Sequence, residues 1–210
     1  FLKYELPREE QLKYIGFMLQ DTERLSGNIN SILNLARIES RLHEGESTAV
    51  DLPETIRQFI TRNRHLFHGC DITVAPSVTG PLIVPLILPL FEMLLMNILT
   101  NAIKYNASAR PRIDIAFERE RNSLRIHFRD NGIGMAKGDC KKIFGKFYQG
   151  RQDERVSAGG SGIGLYLVQQ IARLHRGKVV ADSEGDGKGS VFTLTLPLTA
   201  MAATTATGQA

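Results

Sequence analysis

Four short segments, fixed in order and unlike their surroundings, constrain this chain more than anything else in it. They are Asn97-Ile98-Leu99-Thr100-Asn101-Ala102-Ile103-Lys104-Tyr105, Asp130-Asn131-Gly132-Ile133-Gly134, Phe144 with Phe147, and Gly160-Ser161-Gly162-Ile163-Gly164-Leu165. Each sits at a boundary of a regular pattern. The first closes an apolar helix, the second ends a strand, the third interrupts a polar loop and the fourth opens a helix. Singly, such segments are common in globular chains. In series, they specify a fold that gathers a helix face, a strand end and a helix start.

The patterns between them set the organisation. Residues 8–42 read as one long helix, because Leu12, Ile15, Leu19, Thr22, Leu25, Ile29, Ile32 and Ala36 recur at alternating three- and four-residue steps. Pro7 at its first turn and Gly45 beyond its end are start and stop signals. So narrow a stripe on so long a helix calls for partner helices. Residues 44–48 read as a linker. From Val50 the spacing predicts helices over 53–66, 86–106 and 162–175 and a strand over 71–75. It also predicts paired strands over 112–118 and 124–129, turning at Arg121-Asn122, and closing strands over 178–182 and 190–196. Residues 134–160 are polar and glycine-rich, the composition of a mobile loop. The low-complexity stretch after Pro197 reads as a disordered tail.

Composition narrows the class of partner. The 210 residues suit one compact domain with a small appendage. A net charge of +4, with Lys and Arg scattered among Asp and Glu, gives no contiguous basic face and argues against nucleic acid. Cys70 and Cys140 stand in neither metal-ligand nor redox spacing, which fits a reduced setting. The longest apolar stretch, residues 82–91, is broken by Pro85 and Pro89 and is too short to span a bilayer. The chain starts at Phe1 rather than Met and is expected to be part of a longer protein.

The chemistry follows from side-chain type and phase. Asn97, Asn101 and Lys104 fall at i, i+4 and i+7 and share one helix face, opposite Leu88, Phe91, Leu95, Leu99 and Ala102. An amide carbonyl is a hard ligand suited to Mg²⁺, its NH₂ can donate to phosphate, and the Lys adds a mobile charge. Taken alone, the same residues would also make an ordinary solvated helix face. An ionised Asp130 at a strand end can accept a hydrogen bond from the exocyclic amino group of adenine, where guanine presents a carbonyl. Gly132 and Gly134 let backbone approach the base, although Asp-Asn-Gly is also a common turn. Gly160 to Gly164 open a helix whose unpaired N–H groups and dipole favour an anion. The Lys-Ser/Thr ending of a P-loop is missing, as is a Gly-x-Gly-x-x-Gly after a first strand. Phe144 and Phe147, with Ile143 and Tyr148, read as a hinge or anchor in the loop.

In this order the segments resemble the ATP-binding catalytic domain of sensor histidine kinases, the Bergerat fold of two-component signalling, over residues 8–197. The resemblance implies an α+β fold: a two-layer α/β sandwich, with a mixed sheet carrying helices on one face, preceded by a long dimerisation helix. Residues 1–46 would be the C-terminal part of a dimerisation hairpin, 47–198 the ATP-binding catalytic domain and 199–210 the tail. Asn97 would take Mg²⁺, Asn101 and Lys104 would meet the phosphates of ATP, and Tyr105 would cover the adenine or ribose. Lys146 and the Gly160, Gly162, Ile163, Gly164 and Leu165 segment would hold phosphate, while Gln149 stands where the family often has a second Arg. Gly189-Ser190-Val191-Phe192-Thr193 resembles the family's last glycine motif, with Thr193 reaching the adenine end.

The implied reaction moves the terminal phosphoryl of ATP to a histidine, then to an aspartate on a response regulator receiver domain. The implied setting is a cytoplasmic homodimer formed through the N-terminal helix, with membrane contact only through segments outside this chain. The family's acceptor His precedes an acidic residue near the start of the hairpin. His43, His65, His68, His127 and His175 lack that context and read as surface or packing residues, which puts the expected acceptor upstream of Phe1. ATPases of the same fold, the gyrases and some chaperones, place a Glu one turn before the metal-binding Asn to activate water. Met93 occupies that place before Asn97 and Glu92 lies off the face, so rapid hydrolysis is not expected. An ATPase of this fold and a nucleotide-sensing scaffold remain the alternatives.

Overall fold

Alternation of apolar and polar side chains builds the central sheet. In β4 (Arg112–Arg119) and β5 (Ser123–Asp130), Ile113, Ile115, Leu124, Ile126 and Phe128 are buried on one face, and their neighbours in sequence reach the other. The computed structural model describes residues 6–39, 46–76, 80–149 and 161–198. Besides α1 (Arg8–Glu39) it contains β1 (Thr48–Asp51), α2 (Leu52–Arg62), β2 (Asp71–Val74), β3 (Ile83–Leu86) and α3 (Leu88–Lys104) ahead of that hairpin. After it come α4 (Gly164–Leu174), β6 (Lys178–Asp182) and β7 (Val191–Pro197). The main sheet runs β2-β4-β5-β7-β6, with β2 parallel to β4 and the other pairs antiparallel, a mixed sheet.

Helices α2, α3 and α4 close the apolar face. Ile56, Phe59, Phe91, Leu94, Leu95, Ile98, Leu99, Val168 and Ile171 form one core with the inward residues of the sheet. Burying each such side chain contributes roughly 1.5–3 kcal/mol. The helix expected over 53–66 divides at Asn63, whose Nδ2 donates to Phe59 O, and continues as a 3₁₀ turn at Arg64–Phe67. A small second sheet pairs β1 with β3, antiparallel, with Ala49 opposite Pro85. This corrects two expectations: residue 48 belongs to a strand rather than a linker, and residues 86 and 87 precede α3. Pro85 is tolerated because a two-stranded sheet leaves each strand an open edge. Pro89 lies in the first turn of α3, where no N–H is missed.

On α1 the apolar stripe stays uncovered by the described residues: Leu12, Ile15, Leu19, Leu25, Ile29 and Ile32 are all exposed, and among the described side chains of the helix only Ile38 joins the core. Residues 1–5, 40–45 and 199–210 lie outside the described residues, and with them His43, Gly45, the expected tail and most of the expected end of a first hairpin helix.

His175 ties the end of α4 to the start of α3. Its Nδ1 donates to Ile171 O (2.8 Å) and its Nε2 accepts from the Ile87 N–H (2.9 Å), so the neutral ring satisfies both bonds. Burial pushes its pKa below the ordinary 6.5, with the Ile171 carbonyl opposing that shift. A group lowered in this way adds stability that is whole above its unfolded pKa. As pH falls through that value toward the lower folded one, the unfolded chain binds a proton the folded chain refuses. Thermal melts at about pH 7.5 and about pH 5.5 should therefore show a loss for the parent that His175→Gln reduces. Equal losses in both proteins would overturn the assignment.

Candidate functional site

The site forms where α3 ends, β5 ends and α4 begins. Along α3, Leu95, Leu99 and Ala102 are buried while Asn97, Asn101 and Lys104 are half-buried on the other side. Asn97 Nδ2 donates to Met93 O (2.8 Å), whereas the Asn101 carboxamide has no partner among the described residues. The Lys104 ammonium lies 5.4 Å from the centre of the Tyr105 ring, and burial lowers its pKa. Glu92 faces α2, where it forms an ion pair with Arg62.

Tyr105 O accepts from the Ile133 N–H (3.0 Å), which binds the end of α3 to the loop after β5. Asp130, only 9% exposed, uses Oδ1 to accept from Gly132 N–H (2.8 Å) and Ser190 N–H (3.1 Å). Its Oδ2 has no partner among the described residues. Burial pushes the Asp130 carboxyl above its usual range, and the two N–H groups work in the opposite direction.

Beneath this loop lies the β6–β7 connection, held by Gly187 N–H to Ile133 O (2.6 Å) and Gly189 N–H to Gly132 O (3.1 Å). The layers meet at glycine. A Cβ on Gly132 would collide with Tyr105 O, one on Gly134 (φ 74°) with Gly185 O, and one on Gly189 (φ 69°) with Asp130 O.

The other wall is the loop ahead of α4. Residues 134–149, expected as mobile, are instead anchored by a 3₁₀ turn at Lys142–Phe144, with Cys140, Ile143 and Phe144 buried. Phe144 meets Phe192 edge-on (6.5 Å, 89°), and Tyr148 Oη donates to Asp139 Oδ1 (2.9 Å). Of the two phenylalanines, Phe144 is thus the anchor, while Phe147 is exposed with φ 63°. Lys146 Nζ lies 5.9 Å from the rings of both Phe147 and Tyr166. Gly162 (φ 66°) packs on this loop, its missing Cβ position 2.7 Å from Phe147 C and 2.8 Å from Tyr148 O. That position on Gly164 falls 2.6 Å from Asn97 Oδ1, so the first turn of α4 abuts the Asn face of α3. Ile163 is buried and Leu165 half-buried beside it.

The structure therefore sets Tyr105, at the end of α3, against the Gly132 loop that follows Asp130, and sets Gly164, in the first turn of α4, against Asn97 of α3. Gly160 lies outside the described residues. Thr193 is a correction. It points to the open face of the sheet, with Oγ1 3.1 Å from His127 Nδ1, because buried Phe192 and Leu194 take the other phase of β7. Ser190, three residues earlier, is the one beside Asp130. Its place directly after Gly189 was the available signal. Ser183, buried at the end of β6, carried none.

The arrangement is a cradle with a carboxylate oxygen at one end, and a carboxamide, an ammonium and a glycine-rich helix start at the other. Glycines line it where a Cβ would collide with neighbouring backbone or with Asn97 Oδ1. These donors fit an adenine, a chain of phosphates and a divalent cation.

Comparison with known proteins agrees. Residues 88–200 match the family described as histidine kinase-, DNA gyrase B-, and HSP90-like ATPase. The sensor histidine kinase MtrB of Mycolicibacterium paratuberculosis is 29% identical over 182 residues, covering 86% of this chain and 32% of MtrB. The chain thus spans about a third of that relative's length. Full-length ShkA in complex with AMPPNP shares the fold at a TM-score of 0.69, over 94% of this chain and 41% of ShkA, with 22% identity. Histidine kinase ThkA in complex with response regulator protein TrrA gives 0.68 over 94% of this chain and 54% of ThkA, with 21% identity. With more than half of its residues inside the family match, the chain belongs to the histidine kinase-, DNA gyrase B- and HSP90-like ATPase family, as an ATP-binding catalytic domain of the sensor histidine kinase type.

Proposed function

We propose that this chain binds Mg²⁺-ATP and delivers the terminal phosphoryl group to a histidine on a helical hairpin, from which an aspartate of a response regulator receiver domain takes it. In the first step a nitrogen–phosphorus bond forms, the bond to the β-phosphate oxygen breaks and ADP leaves. The observation that carries this reading is the convergence of Asp130, the Asn101–Lys104 face and the first turn of α4 on one cradle. Such a cradle acts by positioning and charge neutralisation. The AMPPNP bound in ShkA and the regulator bound to ThkA support it.

Each residue has a role in this reading. Asp130 Oδ2 accepts from the adenine amino group, and Tyr105 flanks the base or ribose. Lys104, Lys146 and the backbone from Gly162 to Leu165 meet phosphate oxygens. Mg²⁺, when bound, would neutralise charge between the outer phosphates. We place it on Asn101 rather than on Asn97, since the Asn97 carboxamide is already engaged with Met93 O and wedged against Gly164. The uncovered stripe of α1 is the surface for a second copy, completing a helical bundle. ATP as the substrate places the chain in the cytoplasm. No helix among the described residues is long and apolar enough to cross a membrane.

The test supplies radiolabelled ATP and Mg²⁺, with a separate helical hairpin bearing a His-Asp or His-Glu pair. Acid-labile, base-stable label should appear on the hairpin, slowly, because delivery in trans forgoes the effective concentration of a tethered acceptor. Such label on this chain alone would overturn the reading of its five histidines. Asn101→Ala should abolish the Mg²⁺-dependent part of ATP binding. If Asn97→Ala does so instead, the metal belongs on Asn97.

A further inference from the structure

The Ser183 hydroxyl joins the two glycine loops at a point that no charge or motif marks. Ser183 is 4% exposed. Its Oγ donates to Gly189 O (2.7 Å) and accepts from Met135 N–H (3.0 Å) and Gly185 N–H (3.3 Å). One donor and two acceptor sites are the whole capacity of a hydroxyl, so the group is saturated. Each of its two shorter bonds ends one residue from the pocket. Met135 follows Gly134, and Gly189 precedes Ser190, whose N–H holds Asp130 Oδ1. The missing Cβ position of Gly134 lies 3.1 Å from the same oxygen, so a side chain there would press on the hydroxyl.

We propose that Ser183 is a positioning residue for the adenine end of the pocket, setting the separation of the 130–135 and 183–190 loops and so the aim of Asp130. This rests on the nucleotide-binding reading above. Three backbone bonds between the loops, Gly187 N–H to Ile133 O, Gly189 N–H to Gly132 O and Asp130 N–H to Ser190 O, do not involve the hydroxyl. Removing it therefore leaves the loops paired but loosens the tie at Met135, with the Gly189 carbonyl unpaired among the described residues. Adenine recognition suffers, and phosphate and metal recognition, more distant and on α3 and α4, do not.

Titration calorimetry on the full chain tests this with ATP and adenosine as probes, on Ser183→Ala and on the equal-shaped pair Ser183→Thr and Ser183→Val. Alanine and valine should weaken both ligands about tenfold, as expected for one lost buried hydrogen bond, while threonine stays within about threefold of the parent. The ratio of ATP to adenosine affinity and the response to Mg²⁺ should stay constant throughout. Without ligand, the Met135 amide should exchange with solvent about tenfold faster in the valine variant than in the threonine variant. Equal adenosine affinity in the valine and threonine variants would overturn the proposal. So would failure of all three variants to fold, which would make the hydroxyl a requirement of the fold instead. A parent chain that binds neither ATP nor adenosine would overturn the nucleotide-binding reading itself, and this proposal with it.

Discussion

Asp130→Asn is expected to weaken ATP binding about 10- to 100-fold, the range for losing a charge-assisted hydrogen bond of roughly 1.5–3 kcal/mol. Asp130 Oδ1 already serves two backbone N–H groups, and the amide oxygen of asparagine can replace it there. That choice turns the NH₂ toward the base, so a donor faces the adenine amino group in place of an anionic acceptor. Discrimination against GTP should shrink in the same variant, because a guanine carbonyl would welcome that donor. Calorimetry with an ATP analogue, alongside a thermal melt to show the variant is folded, gives the answer. Unchanged affinity in a folded variant would remove Asp130 from the site.

Gly189→Ala should have the larger effect on the fold. At φ 69° the residue is left-handed, and a Cβ there would collide with Asp130 O, a backbone atom in the middle of the loop pairing. Left-handed strain alone costs about 1–3 kcal/mol, and separating the loops adds to it. A cost of about 3 kcal/mol would lower Tm by roughly 6–12 °C in a chain of this size. ATP binding should fall below detection, since Asp130 and Ser190 move with the loop. A melt within about two degrees of the parent would show that the loops can separate at little cost, and that their close contact is not structural.

The parts legible in the sequence are those governed by local period. The phase of Asn97, Asn101 and Lys104 follows from helix geometry, and the alternation in β4 and β5 fixes which residues face the core. What escaped depends on pairing between distant residues. Nothing near Thr48 shows that it meets Leu86, so β1 and β3 read as linker and helix start. Thr193 and Ser190 share a motif, but they differ by an odd number of residues and so take opposite phases, and only the register of β7 on β5 decides between them. Residues 134–149 look mobile by composition, yet Phe144 finds Phe192 and Tyr148 finds Asp139. Asn97 and Asn101 are alike in sequence, and what distinguishes them is the Asn97 bond to Met93 O and the approach of Gly164.

The ion pair between Glu92 and Arg62 bears on the lifetime of a bound nucleotide. With the cation on Asn101, the residue one turn earlier is Asn97, whose carboxamide cannot take a proton from water. The nearest carboxylate on α3 is turned away and neutralised on α2. On the proposed function, ATP in this cradle would be a reagent kept intact until a nucleophile is brought to it. The tempo of signalling would then be set by how often an acceptor arrives, and a chain waiting alone would lose little fuel.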